Sequence, residues 1–345
     1  MRRIPAFVLS LLMLILCASC GSGRKAESLT YALFPYLPDV EYYQELVERR
    51  WAEIEPDIRL VRADWDCYTG KAPEGIDVLM YDAVMQDALI GSGWIRPIDK
   101  DDVRDAGDLF PFAVDGLTAD GRLYGIPVFL CGNFLIYDRG CDVLAKAEHI
   151  TDLADESEFL VIGSEDPETR AEYVREIRAD TAGDADPAAG NGADRTDAIL
   201  ALIDRLSIDA HAQDQPEQIA RAYDAGKGMG YISFSETMRF LERRGPMTDI
   251  KSVSFGDGEN RPCMYVDAVS VTSGVDGQRY EKCIELMNVI AEADILTSLS
   301  VQNGKPQYLL LARKSAYAAL TEQFPLYGKL EEIAANERNC TILGQ

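Results

Sequence analysis

Cys131 ends one apolar run, Pro127-Val128-Phe129-Leu130-Cys131, and another, Phe134-Leu135-Ile136-Tyr137, begins just beyond it. This spacing puts a thiol at the junction of two strand-like segments, where it can face a cleft. A thiol so placed can do nucleophilic chemistry: as thiolate it attacks an electron-poor carbon, and it leaves again when the adduct must be released. A free cysteine is most often a buried small hydrophobe, so Cys131 takes its meaning from other segments rich in aromatic and acidic residues. These are Phe34-Pro35-Tyr36-Leu37-Pro38-Asp39, Asp64-Trp65-Asp66-Cys67-Tyr68, and Tyr231-Ile232-Ser233-Phe234-Ser235-Glu236-Thr237-Met238. Tyr265-Val266-Asp267 and Pro306-Gln307-Tyr308-Leu309-Leu310 complete the set.

Together these segments resemble thiaminase I, the thiamine pyridinylase family, from about Leu29 to Tyr327. The resemblance implies an α/β, two-lobed periplasmic-binding-protein-like (type II) fold with the active site in the interlobe cleft. It also implies a transferase that displaces the thiazole of thiamine by an amine or thiol nucleophile, through a covalent Cys-pyrimidine intermediate. In that reading Cys131, in Leu-Cys-x-Asn, is the nucleophile and Glu236, in Ser-Glu-x-Met, the general base. Asp82 and Asp267, with Asp64, would hydrogen-bond the aminopyrimidine, and Tyr36, Tyr231 and Tyr265 would wall the cleft. The chain departs from the family at Phe34, where a Tyr is usual; the ring remains and the hydroxyl is lost. The partners implied are thiamine and a small nucleophilic co-substrate, with no cofactor and a monomeric chain.

Each residue also has a plainer reading. Glu236 after Ser235 could be a first-turn glutamate complementing a helix dipole. Asp82 could N-cap the helix that follows it, Asp267 could simply end a strand, and the tyrosines could be half-buried sheet residues. A free thiol titrates near 8.5 and a free Glu near 4.3, so moving the proton between them is uphill by about 6 kcal/mol. The acidic surroundings push the thiol up further, and burial must therefore raise Glu236. A solute-binding lipoprotein for thiamine or another cationic ligand would share the fold and the acidic, aromatic cleft. Such a binder needs neither Cys131 nor Glu236.

The formal net charge of −24 repels nucleic acid and anionic headgroups and suits a cationic ligand. His149 and His211 lack any grouping that makes a metal site, and there is no phosphate loop or Gly-x-Ser-x-Gly elbow. The chain starts with Met1-Arg2-Arg3, continues in an apolar run from Ala6 to Leu16, and reaches Cys17-Ala18-Ser19-Cys20-Gly21. That pattern reads as an export signal over 1–19. Cys20 would be a lipidated first residue and 20–27 a tether, so the membrane would be met only through a lipid anchor. Export without the anchor is the other reading. The six later cysteines, Cys67, Cys131, Cys141, Cys263, Cys283 and Cys340, show no pairing rhythm.

Positioning this chemistry requires strands alternating with amphipathic helices, the mark of an α/β fold. Strand-like runs cover Leu29 to Phe34, Ile58 to Val61, Ile76 to Met80, Phe159 to Ile162, Met229 to Ile232, Val253 to Phe255 and Ala268 to Val271. Tyr43, Leu46, Val47 and Trp51 keep helical spacing between Glu41 and Glu55. The expected lobes are 28–128 plus 262–345, and 129–261. The second carries a Gly/Ala/Asp-rich excursion at 180–195.

Overall fold

The computed structural model describes residues 27–181, 192–208, 215–255 and 262–344. The expected signal segment, Cys20, the expected tether up to residue 26 and the middle of the 180–195 excursion lie outside them. At its described ends that excursion is helical, closing Pro167–Thr181 and opening Gly192–Leu206.

The strands in chain order are β1 (Glu27–Ala32), β2 (Ile58–Arg62), β3 (Val78–Asp82), β4 (Thr118–Ala119), β5 (Arg122–Leu123), β6 (Ile126–Cys131), β7 (Phe134–Asp138) and β8 (Leu160–Val161). They continue as β9 (Gly230–Ser233), β10 (Thr248–Ser252), β11 (Cys263–Val271), β12 (Val301–Gln302), β13 (Lys305–Pro306), β14 (Leu310–Leu311) and β15 (Cys340–Thr341). Among the described residues, one sheet has the order β14-β6-β11-β3-β1-β2, with β15 beside β11; the other has the order β10-β7-β9-β8. β4 with β5, and β12 with β13, form small ribbons.

β3 is buried at every position. Its unbroken run Val-Leu-Met-Tyr is what a strand covered on both faces requires. The helix Val40–Ile54 buries Tyr43, Leu46, Val47 and Trp51, each contributing roughly 1.5–3 kcal/mol. The Tyr43 hydroxyl donates to the Ile290 carbonyl at 2.7 Å, and Trp51 Nε1 to that of Ile58 at 2.8 Å.

The chain crosses between the sheets at Gly132 and again in the segment leading into β11. The first crossing falls three residues later than the expected boundary at 128/129, because Leu130 and Cys131 still pair with Val266 and Tyr265 of β11. Gly132 makes this close approach easy: a Cβ would lie 3.2 Å from the Cys263 carbonyl oxygen, so a larger residue would need the neighbouring backbone to give by a few tenths of an ångström. The two crossings therefore lie against each other. The strand expected at Val253 to Phe255 lies earlier, at β10, antiparallel to β7. Its sequence Thr-Asp-Ile-Lys-Ser is largely polar, as an edge strand allows, while Val253 and Phe255 are core residues just past its end. One hydrophobic core joins the first sheet to one face of the second, and a smaller core fills the other face against Tyr173, Ile177 and Ile203.

Candidate active site

Three strand ends of the first sheet meet at one edge. β3 finishes on Asp82 and β6 on Cys131, and antiparallel β11 passes both near its start. Register sets Tyr265 opposite Cys131 and Asp267 opposite Asp82. Residues directly opposite share a face of the sheet, so all four project to the same side. The β6–β11 register slips between Asp267 and Ala268, with Pro127, which has no ladder N–H to donate, at the slip. Such bulges often adjoin active sites.

The facing wall comes from the second lobe. After β9 the chain makes the tight turn Ser235–Phe240, which holds Glu236. Ser235 caps nothing there; its hydroxyl donates to the Tyr308 carbonyl at 2.8 Å and ties the turn to the first lobe. The helix Pro167–Thr181 brings Glu172, Arg175 and Glu176. Asn133 Nδ2 donates to Glu176 Oε1 at 2.8 Å, which fixes the backbone just past Cys131.

Burial raises the Cys131 thiol well above its ordinary value, and Glu236, Asp267, Glu172 and Asp82 add to it in that order. These four carboxyl groups, from both lobes, thus act on one sulfur. Burial also raises Glu236, with its own backbone N–H and Arg239 opposing. Asp267 is raised well above the usual range by burial, then by Asp82 and Glu236. Asp82 is raised by burial, partly offset by the Tyr68 hydroxyl, the Val84 N–H and Arg175. Two opposed carboxylates in one dry site cannot both ionise readily, so each of the pair is pushed toward its protonated form. The expected rise of Glu236 is present, but the thiol rises with it, and burial alone does not close the gap between them.

Glu172 is pushed up to about 7, by burial first, against the pull of Asn133 and Arg175. A carboxyl raised from 4.5 to about 7 in the folded state adds stability below pH 4.5, and that stability is lost as pH rises through 7. Glu172→Gln cannot ionise. It should be close to wild type in stability at pH 4 and more stable at pH 8, by up to about 3 kcal/mol, as read from denaturant midpoints. Equal stabilities at pH 8 would place Glu172 in water.

The site residues read from the sequence divide into those the fold gathers and those it does not. Cys131, Asp82, Asp267, Tyr265 and Glu236 converge. Asp82 is both an N-cap, accepting from Val84 N at 2.9 Å, and a site carboxylate, accepting from the Tyr68 hydroxyl at 2.6 Å. Tyr36, 64% exposed, stands at the rim, where its hydroxyl donates to Asp66 at 2.9 Å. Its ring forms a cluster with Phe34 and Tyr68, centroids 5.3 and 6.0 Å away. Asp64 is exposed beyond β2 and makes none of the hydrogen bonds of the cluster. Tyr231 is fully buried with its ring 5.1 Å from Tyr223, so it packs in the interior. Tyr68, Asn133, Glu172, Arg175 and Glu176 were not anticipated. The Glu172/Glu176 spacing, one helical turn, was the available signal.

Fold and site define a two-lobed, periplasmic-binding-protein-like α/β protein with a thiol and a buried carboxylate cluster between its lobes. No protein-family model matches the chain. Thiaminase-1 of Paenibacillus thiaminolyticus is 28% identical over 97% of this chain and 89% of its own length. Clostridium botulinum thiaminase I in complex with thiamin superposes with a TM-score of 0.82 at 28% identity, covering 92% of this chain and 94% of that one. Thiaminase I from Bacillus thiaminolyticus gives 0.82 at 27% identity, with the same coverage. Maltose-bound MalE3 of T. maritima, 15% identical with a TM-score of 0.66 over 91% of this chain and 89% of its own, shares the fold alone. The chain is a homologue of thiaminase I, as the resemblance implied.

Proposed function

We propose that this protein is a thiamine pyridinylase, cleaving thiamine by exchange of its thiazole for another nucleophile. The observation that carries this reading is the convergence of Cys131 from one lobe and Glu236 from the other, close enough for the carboxylate to raise the thiol. A solute binder requires neither group.

Thiamine is a cation, and its entry into this cluster opposes the carboxylates that hold the thiol up. The substrate's charge lowers the Cys131 pKa and helps to close the gap that burial leaves. Glu236 takes the Sγ proton, and sulfur bonds to the electron-poor pyrimidine ring. The bond to the thiazolium nitrogen breaks with its electron pair going to nitrogen, so the thiazole leaves neutral. The co-substrate then bonds to the carbon the thiazole left, the sulfur–ring bond breaks, and the returning thiolate recovers its proton from Glu236. Asp82 and Asp267, both raised toward the protonated form, can between them accept from the amino group and donate to a ring nitrogen. Tyr265 and the Phe34–Tyr36–Tyr68 cluster offer ring faces to flat and cationic groups.

Mass spectrometry of thiamine incubated with the purified protein and pyridine tests the proposal. A pyrimidine–pyridine adduct with release of the thiazole is expected. Intact thiamine, bound tightly, would instead make the protein a solute binder.

A further inference from the structure

Cys263 and Cys340 showed no relation in the sequence, yet they are register partners in the parallel pair β11–β15, with Sγ atoms 3.3 Å apart. We propose that they are a disulfide site, a covalent staple joining the C-terminal tail to the strand on which the chain re-enters the first lobe. This inference stands independently of the reaction assigned above.

Neighbouring strands lie about 4.8 Å apart, inside the Cα window of roughly 4.4–6.8 Å that a disulfide spans. The backbone around both residues is already held: Cys340 N donates to the Pro262 carbonyl at 3.1 Å and Ile342 N to that of Met264 at 2.8 Å. Thr341 Oγ1 donates to the Phe112 carbonyl at 3.0 Å. Closing the bond therefore needs little more than rotation of the two side chains. Both residues are partly exposed, whereas Cys67, Cys141 and Cys283 are buried. Among the described residues, Cys131 is the other cysteine that is not fully buried. It is opposite Tyr265 and so diagonal to Cys263, about 7–8 Å away across the ladder, beyond bonding reach without backbone movement. Pairing Cys263 with Cys340 keeps Cys263 away from Cys131. It also pins the segment whose carbonyl packs on Gly132, so the staple is at the place where the chain passes between lobes.

The oxidant is a low-molecular-weight disulfide. One protein thiolate attacks it and expels one small thiolate; the second protein thiolate attacks the protein sulfur of the mixed disulfide and expels the other. Two protein thiols lose two protons and two electrons, and one small disulfide becomes two thiols.

The test treats the full chain with oxidised glutathione, alkylates remaining thiols and maps the peptides. A linked peptide pair containing Cys263 and Cys340 is expected, absent after reduction and absent from Cys263→Ser and Cys340→Ser. The bond closes a loop with a separation of 77 residues, so reduction should lower the thermal midpoint of the wild type by on the order of 5 °C. The double serine variant should not respond. Complete alkylation of both residues after oxidation, or a link from Cys263 to Cys131, would overturn the proposal. The peptide map of the wild-type chain decides the matter even where a serine variant folds poorly.

Discussion

Cys131→Ser should lower formation of the pyrimidine–pyridine adduct by roughly 10⁴-fold or more, the scale seen when a covalent nucleophile is removed, while thiamine binding stays within a few-fold of wild type. The reason lies in the site's charge. Four carboxyl groups hold even the thiol up, and an alcohol begins several units higher, so Glu236 cannot deprotonate it. Serine occupies nearly the same space at the end of β6, and the ladder with Tyr265 is made by backbone, so the walls of the cleft persist. Isothermal titration with thiamine separates the two effects. Turnover retained by the serine variant would remove Cys131 from the covalent step.

Glu236→Gln should reduce the rate by roughly 10²–10⁴, the span usual for a general base, and should change the form of the pH–rate profile. Burial raises Glu236 above the ordinary carboxylate range, so the wild-type rate should rise with pH through a correspondingly elevated value as the base ionises. The glutamine variant lacks that limb. A merely structural glutamate would leave the profile intact. Geometry alone does not separate the two roles: the Ser235 hydroxyl is engaged with Tyr308 across the lobes, while Glu236 accepts from its own backbone N–H as a first-turn glutamate would, so the pH profile decides between them.

Local pattern was a good guide wherever a segment's own residues decide its structure. The stripe Tyr43, Leu46, Val47, Trp51 matches the buried face of its helix, and the apolar run before Asp82 is a strand buried on both faces. Pattern failed where pairing decides. β10 is polar because its backbone ladder, rather than its side chains, makes it a strand, and the apolar Val253 and Phe255 drew the expectation past its end. Tyr231 illustrates the same limit: a tyrosine two residues before Ser233 reads equally as cleft wall or core, and only the packing against Tyr223 shows which face it uses.

The sequence by itself determined which candidate groups could do chemistry: a thiol between two strands, a glutamate after another, and aspartates at strand ends, in a chain of strongly negative charge. Side-chain chemistry and short-range spacing are properties of the chain alone. The tertiary structure decided how these groups influence one another. Asp82 and Asp267 lie far apart in the chain, yet Asp82 adds to the rise of Asp267 because β3 and β11 set them opposite each other. Glu172 and Glu176 reach the site because a helix of the second lobe packs across the cleft, and Cys263 meets Cys340 because β15 returns to pair with β11. Charge coupling and thiol proximity depend on distances of a few ångströms between segments remote in sequence, and those distances come from strand register and lobe packing.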